Sequence, residues 1–88
     1  MMTSVQMRAA RALLGMDQAK LAELSGVSLA TIQRMESSEG VVRGVVETLM
    51  KVIQAFDAAG VELIGDRQRS ESGGRGVRLK TPVGHREV

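Results

Sequence analysis

Residues 17–36 have the sequence DQAKLAELSGVSLATIQRME, in which one glycine separates two short segments of helical pattern. Asp17 and Ser28 precede these segments and are residue types that cap helices, because their side-chain oxygens accept hydrogen bonds from free backbone N–H groups. Gly26 ends the first segment, since glycine readily adopts the positive φ of a tight turn, and only Val27 separates it from the second cap. A turn this short forces a large angle between the helices, so the sequence predicts a helix-turn-helix.

The second of these helices has two chemically different faces. With about 100° of rotation per residue, Ile32, Met35 and Glu36 fall on one side, where the apolar residues can pack against the other helices. The opposite face carries Leu29, Ala30, Gln33, Arg34 and Ser37. We therefore expect an exposed face that begins with two apolar residues and continues with polar ones.

Two further helices are predicted around this motif. The first runs from about Ser4 to Leu14, with Ser4 as a possible N-cap and Gly15 as its stop. The fourth runs from about Val45 to Ala59 and is followed by Gly60. Its expected apolar face consists of Val45, Val46, Leu49, Val52, Ile53 and Phe56.

The C-terminal part of the chain predicts a small β element. Val61–Ile64 and Gly76–Lys80 are short apolar runs, the second with clean alternation, and both are typical of strands. Residues 65–75 contain three glycines and no aliphatic residue, so we expect a mobile loop there. A two-stranded hairpin alone is only marginally stable, so it has to pack on the helices or pair with another chain.

The motif closely resembles the helix-turn-helix of the phage repressor/Cro class of bacterial transcription regulators, the XRE-like family. The matching positions are Gln18, Leu21, Ala22, Gly26, Val27, Ser28, Thr31, Ile32, Arg34 and Glu36, with Asp17 where the family usually has serine. The resemblance implies a mainly α fold, a four-helix repressor-like DNA-binding domain, to which this chain adds a short C-terminal two-stranded β element. We predict a DNA-binding domain over residues 1–60, a dimerisation element over 61–80 and a flexible tail over 81–88.

The resemblance also implies how the chain would contact DNA. The third helix, Ser28–Ser37, would enter the major groove. The residues expected to contact bases are Leu29, Ala30, Gln33 and Arg34, and those expected to contact phosphates are Gln18, Ser28, Thr31, Ser37 and Arg43. Arg34 can pair with guanine O6 and N7, and Gln33 can pair with adenine. Leu29 and Ala30 cannot donate hydrogen bonds, so their expected partner is the methyl group of thymine.

Simpler roles remain open for several of these residues. Gln33 and Arg34 could be solvated side chains on the surface of the helix. Ser37 could help to form the loop that follows the helix, and Arg43 could be an exposed charge in that loop. DNA-binding measurements on variants separate these roles.

An ion pair between Arg11 and Glu36 is a further implication of the resemblance. Both residues lie next to apolar positions on helices that are expected to face each other. A partly buried, bidentate pair at this point would orient the third helix. Its role would therefore be structural.

Composition argues against several other classes of protein. The 88 residues include no cysteine and one histidine, which excludes thiolate metal sites, cysteine nucleophiles and multi-histidine metal sites. Residues 73–76 are glycine-rich, but no helix follows them to hold a phosphate. No apolar run approaches the roughly 20 residues of a membrane span, and the start lacks the apolar stretch of a signal peptide. We expect a cytoplasmic protein with no enzymatic activity, no cofactor and no metal.

Double-stranded DNA is the expected partner. Residues 67–88 carry six lysine or arginine residues against two acidic residues, a balance that suits either an anionic partner or a solvated tail. We predict a sequence-specific transcription regulator that acts as a homodimer through its C-terminal strands and fourth helix. In the alternative arrangement, the hairpin folds back on its own helices. The alternative function is an antitoxin-like module that neutralises a protein partner and binds DNA secondarily.

Overall fold

The computed structural model describes residues 2–65 and 74–80. In this part of the chain, four helices are followed by two antiparallel strands. The elements are α1 Ser4–Leu14, α2 Gln18–Ser25, α3 Leu29–Ser37, α4 Val46–Ala59, β1 Val61–Ile64 and β2 Gly76–Leu79. This order confirms the predicted fold class. Most of the predicted mobile loop, and the predicted tail over 81–88, lie outside the described residues.

The predicted caps of α2 and α3 are confirmed. Asp17 Oδ1 accepts a hydrogen bond from the backbone N–H of Lys20 at 2.8 Å. Ser28 Oγ accepts one from the backbone N–H of Thr31 at 3.2 Å. Gly26 lies between the two helices with φ at 72°, in the left-handed region that a residue with a side chain rarely adopts. The helix-turn-helix therefore has the turn that its sequence predicts.

The predicted N-cap of α1 was wrong by one residue. Thr3 is the cap, because its Oγ1 accepts from the backbone N–H of Gln6 at 3.0 Å while Gln6 Oε1 accepts from the backbone N–H of Thr3 at 2.9 Å. This reciprocal arrangement is a capping box, which requires glutamine or glutamate three residues after the cap. Ser4 cannot form it because the residue three positions after Ser4 is Met7. Ser4 instead is buried in the first turn, and its N–H donates to Gly40 O at 3.0 Å.

The hydrophobic core consists of one cluster to which all four helices and β1 contribute. Its fully buried side chains include Met2, Met7, Leu21, Ile32, Val42, Val52, Phe56 and Val61. In α4, Leu49 and Phe56 are buried as predicted, whereas Val45 and Val46 are 68% and 62% exposed. The predicted apolar face was therefore too long. The helix begins at Val46, and it packs against α2 and β1 through its later turns, where Ala55 is also buried.

The C-terminal hairpin pairs within the chain and folds back on its own helices. Val61 lies opposite Leu79, and Ile64 lies opposite Gly76. The hairpin packs against α1 and α4, and Val77 and Leu79 are partly buried against the core. The second strand ends at Leu79, one residue before the predicted end. The expectation that residues 61–80 dimerise the protein stays a prediction.

The N-terminal residues hold the loop that follows α3. Thr3 forms an isolated antiparallel bridge with Val41, and the N–H of Val42 donates to Met2 O at 2.8 Å. Met2 is 1% exposed. The chain between α3 and α4 is therefore fixed to the start of α1 immediately before it reaches Arg43.

Candidate nucleic-acid interface

The two predicted faces of α3 are separated in the structure. Ile32, Met35 and Glu36 are 0%, 5% and 4% exposed. The residues predicted to contact bases, Leu29, Ala30, Gln33 and Arg34, are all exposed, as is Ser37. Leu29 is 41% exposed in the first turn of the helix, where a large apolar side chain gains nothing from water. The exposed face thus offers both apolar and hydrogen-bonding groups to one partner surface.

A chain of side-chain hydrogen bonds runs along this face. Ser28 Oγ donates to Thr31 Oγ1 at 2.9 Å. Thr31 Oγ1 also accepts from Arg34 Nη2 at 3.2 Å. The three residues are spaced three apart, so they lie above one another on the same side of the helix. The guanidinium of Arg34 is therefore bonded to its own helix through Nη2, although the residue is exposed.

The hydroxyl of Ser37 is bonded to its own helix. Ser37 Oγ donates to Arg34 O at 3.0 Å, and Ser38 Oγ donates to Met35 O at 2.6 Å in the same way. A hydroxyl has a single proton, so Ser37 has none to offer a phosphate in this rotamer. The geometry favours the helix-ending role of Ser37 over the predicted phosphate contact.

Arg11 and Glu36 form a bidentate ion pair between α1 and α3. Arg11 Nε lies 2.6 Å from Glu36 Oε2, and Arg11 Nη2 lies 2.8 Å from Glu36 Oε1. Burial raises the pKa of Glu36, but the hydrogen bonds from Arg11 and Gln18 outweigh it, and the net effect lowers the pKa below its ordinary value of 4.5. Glu36 is therefore ionised at neutral pH, although its side chain is only 4% exposed.

Gln18 links this pair to the start of α2. Its Nε2 donates to Glu36 Oε1 at 3.0 Å. A primary amide has two N–H groups, so one remains for a further acceptor. The backbone N–H of Gln18 lies in the first turn of α2, where N–H groups have no partner within the helix. Both groups suit the phosphate contact predicted for this residue.

Arg8 of α1 is a second cation that contacts α3, and it was not among the residues predicted from the sequence. Its Nη1 donates to the backbone carbonyl of Glu36 at 2.5 Å, close to the C-terminal end of α3. A cation at this end of a helix is favourable, because the last carbonyl groups have no partner within the helix. The sequence contains a pattern that predicts this contact, since Arg8 precedes Arg11 by three residues and so lies on the same side of α1.

Arg43 is exposed in the loop between α3 and α4. This loop, α3 and the start of α4 enclose a groove of about 390 Å³. Its lining includes Thr31, Arg34, Met35, Glu39, Val41, Arg43, Val45 and Leu49. Arg34 and Arg43 therefore both line this groove, and Glu39 is the one acidic residue of its lining. Two cations on one surface are suited to a polyanion.

Candidate metal clusters and membrane-spanning helices are absent from the described part of the chain. Among residues 2–65 and 74–80, no group of three histidine, cysteine, aspartate or glutamate residues is placed to hold a metal ion. Within the same ranges, none of the helices has the length and apolar character needed to cross a membrane.

The sequence matches a protein-family model. A family model described as helix-turn-helix matches residues 7–62, which is more than half of the chain. The matched region begins in α1, contains α2, α3 and α4, and ends in β1. No curated protein gives a significant match to the sequence.

Proposed function

Because the chain belongs to the helix-turn-helix family of Cro/repressor-type regulators, we propose that it binds operator DNA sequence-specifically as a homodimer. Membership of this family makes it a DNA-binding transcription regulator in general terms. The observation that carries the finer proposal is the exposed face of α3, which lies opposite the buried Ile32, Met35 and Glu36. This face carries side chains that can pair with bases, and Arg11 and Gln18 bond the same helix from its other side through Glu36.

In this proposal, the exposed face of α3 enters the major groove. Arg34 pairs with a guanine and Gln33 with an adenine, because their side chains match the hydrogen-bonding edges of those bases. Leu29 and Ala30 lie against thymine methyl groups, since apolar contact is the only contact that their side chains make. The helix would therefore favour sites that contain thymine next to purines.

Phosphate contacts flank the base contacts. Gln18 supplies an amide and a backbone N–H at the start of α2, and Arg43 supplies a cation from the loop after α3. Thr31 adds a hydroxyl to the proposed set, whereas Ser28 and Ser37 donate their hydroxyl protons within the helix and are left out of it. Such contacts fix the orientation of the protein on the duplex but carry no sequence information.

A second copy is proposed because one helix reads too few bases for an operator, and proteins of this type read two half-sites through two-fold symmetry. We define the α4 patch as Val41, Val45, Val46 and Met50, which are 42%, 68%, 62% and 39% exposed. The exposed Arg43 and Glu47 lie between these residues in the sequence, and the exposed Lys51 follows Met50. A border that carries both signs of charge can be complementary to itself, as a two-fold interface requires. The hairpin already buries Val77 and Leu79 within one chain, so the α4 patch is the better candidate.

Selection of bound duplexes from a random pool tests this proposal. We expect two symmetry-related half-sites about 34–36 Å apart, and a linear fall of log K with log salt as phosphate contacts release counterions. Absent or salt-independent duplex binding would overturn it. Such a result would favour the antitoxin-like alternative. That alternative needs a surface for a protein partner outside the helix-turn-helix, whereas the described residues of the hairpin pack onto α1 and α4.

A further inference from the structure

The hydroxyl oxygen of Thr31 accepts hydrogen bonds from two exposed side chains on the same face of α3. One donor is Ser28 Oγ, at 2.9 Å, and the other is Arg34 Nη2, at 3.2 Å. Ser28 Oγ in turn accepts from the backbone N–H of Thr31 at 3.2 Å. The cap of α3 therefore holds Thr31 through both backbone and side chain, and Thr31 holds Arg34.

We propose that Thr31 is a positioning residue that orients the Arg34 guanidinium for base reading and so helps to set the specificity of the site. This inference rests on the proposed DNA-binding function. Threonine suits this task because its branched Cβ restricts χ1, and the bonds from Ser28 and Arg34 favour the rotamer that presents Oγ1 to them. Both acceptor positions of Oγ1 are used within the helix, while its proton remains available to a phosphate.

Orientation of Arg34 should affect specificity because of the planar geometry of the guanidinium. Arginine recognises guanine through two N–H groups of one planar fork, so discrimination depends on the angle of that plane. A long side chain that is free to rotate can find a phosphate or a different base edge instead. A bond from Nη2 to Thr31 limits this freedom and leaves other N–H groups of the guanidinium for the base.

Thr31→Val tests the proposal, because valine keeps the shape of threonine and removes the acceptor. Duplex selection with wild type and Arg34→Ala first identifies the base pair whose preference depends on Arg34. Competition binding then gives the affinity ratio between the preferred base pair and the next best one at this position. We expect Thr31→Val to reduce the ratio about three- to tenfold, the size of one net hydrogen bond, and Thr31→Ser to restore it.

Ser37→Ala is the matched control, because it removes a hydroxyl of the same helix that bonds the Arg34 carbonyl rather than the guanidinium. We expect this variant to keep the wild-type ratio at the Arg34 position. If Thr31→Val weakens all duplexes equally and leaves the ratio unchanged, Thr31 acts only on phosphates and the proposal is wrong. If wild type binds no duplex, the proposed function itself fails.

A measurement on the free protein separates these two failures. Nitrogen-15 relaxation of the Arg34 Nε–H group reports how far the guanidinium is ordered without DNA. We expect lower order in Thr31→Val than in wild type and Thr31→Ser, with unchanged backbone order in α3. Equal order in all three proteins would overturn the proposal whether or not the protein binds DNA, and Thr31→Ala provides the same comparison if the valine variant does not fold.

Discussion

Arg11 and Glu36 form a bidentate pair at 2.6 and 2.8 Å, although the Glu36 side chain is only 4% exposed. Burial of a carboxylate costs free energy, which opposite charge and good hydrogen-bond geometry can offset. Gln18 supplies a third side-chain hydrogen bond to the same carboxylate, at 3.0 Å. Three helices therefore meet at one carboxylate on the inner side of α3, directly behind the face that we propose to contact DNA.

Glu36→Ala should destabilise the fold clearly. It leaves Arg11 without its carboxylate, and breaking a buried pair from one side costs about 3–5 kcal/mol. Arg11 is 19% exposed and can reach water, so we expect a value near the lower end. In a domain of this size, each kcal/mol lowers Tm by about 4–8 °C.

Glu23→Ala is the matched control for this measurement. Glu23 pairs with Lys20 at 3.2 Å on the surface of α2, with both side chains more than half exposed. Such a pair is worth about 0–1 kcal/mol. Equal changes in Tm for the two variants would contradict the structural role of Glu36.

The stability of the protein should fall in acid partly because of Glu36. Its pKa is lower in the folded chain than the ordinary 4.5, since Arg11 and Gln18 outweigh burial, so the unfolded chain binds the proton more tightly. The contribution of Glu36 is therefore fully present above pH 4.5 and is lost as the pH falls through the folded pKa. Urea unfolding at a series of pH values should show that the free energy of unfolding falls less steeply in acid for Glu36→Gln than for wild type. The same slope in both would contradict this assignment.

Gln6 should be needed to dock the hairpin. Its Nε2 donates to Ile64 O and Gly76 O, both at 2.9 Å, and its side chain is buried. Gln6→Ala leaves these carbonyl groups without their donor, which costs about 1–3 kcal/mol for each group that stays out of water. We expect faster amide hydrogen exchange in β1 and β2 and a lower Tm. Gln54→Ala, at an exposed position of α4, is the control and should change neither.

The sequence predicted the elements whose causes are local. The caps at Asp17 and Ser28 and the turn at Gly26 depend on neighbouring residues, so pattern and residue type were enough to place them. The N-cap of α1 was misplaced because Thr3 and Ser4 are chemically similar, and only the position of Gln6 distinguishes them.

Contacts between distant residues were harder to predict. The two bonds from Gln6 to the hairpin span 58 and 70 residues, and no local pattern encodes them. Val45 and Val46 continue the apolar run of α4, yet exposure depends on which elements cover the helix. The family resemblance pointed to Arg11 and Glu36 because they occupy matching positions, whereas Arg8 belongs to no such motif.

Arg34→Ala and Arg43→Ala should affect DNA binding in different ways. Loss of a bidentate base contact costs about 1–3 kcal/mol and relaxes the preference at one base pair, which we expect for Arg34. Loss of a phosphate contact weakens binding to all duplexes and reduces the salt slope by about one, which we expect for Arg43. Fluorescence anisotropy with a preferred and a mutated duplex, each over a salt series, measures both effects. A uniform loss for Arg34→Ala would make it a phosphate contact.

Val46→Glu should weaken self-association if the α4 patch forms the dimer. The variant would place an unpaired carboxylate in an apolar interface, and this desolvation cost should raise the dimer Kd at least tenfold. Val5→Glu is the matched control, because Val5 is 61% exposed and Val46 is 62% exposed. Sedimentation equilibrium should show a shift toward monomer for Val46→Glu alone. If Val46→Glu remains as dimeric as wild type, the predicted interface at residues 61–80 is favoured instead.

The same pair of variants separates dimerisation from DNA reading. A dimer that holds one half-site binds the second half-site at a high effective concentration, because both copies are already joined. Val46→Glu should therefore lose affinity for a two-half-site duplex while its affinity for a single half-site stays close to wild type, since α3 is unchanged. Val5→Glu should behave as wild type on both duplexes. A parallel loss on the single half-site would show that Val46 acts on the DNA-binding face itself, which would contradict its assignment to the dimer interface.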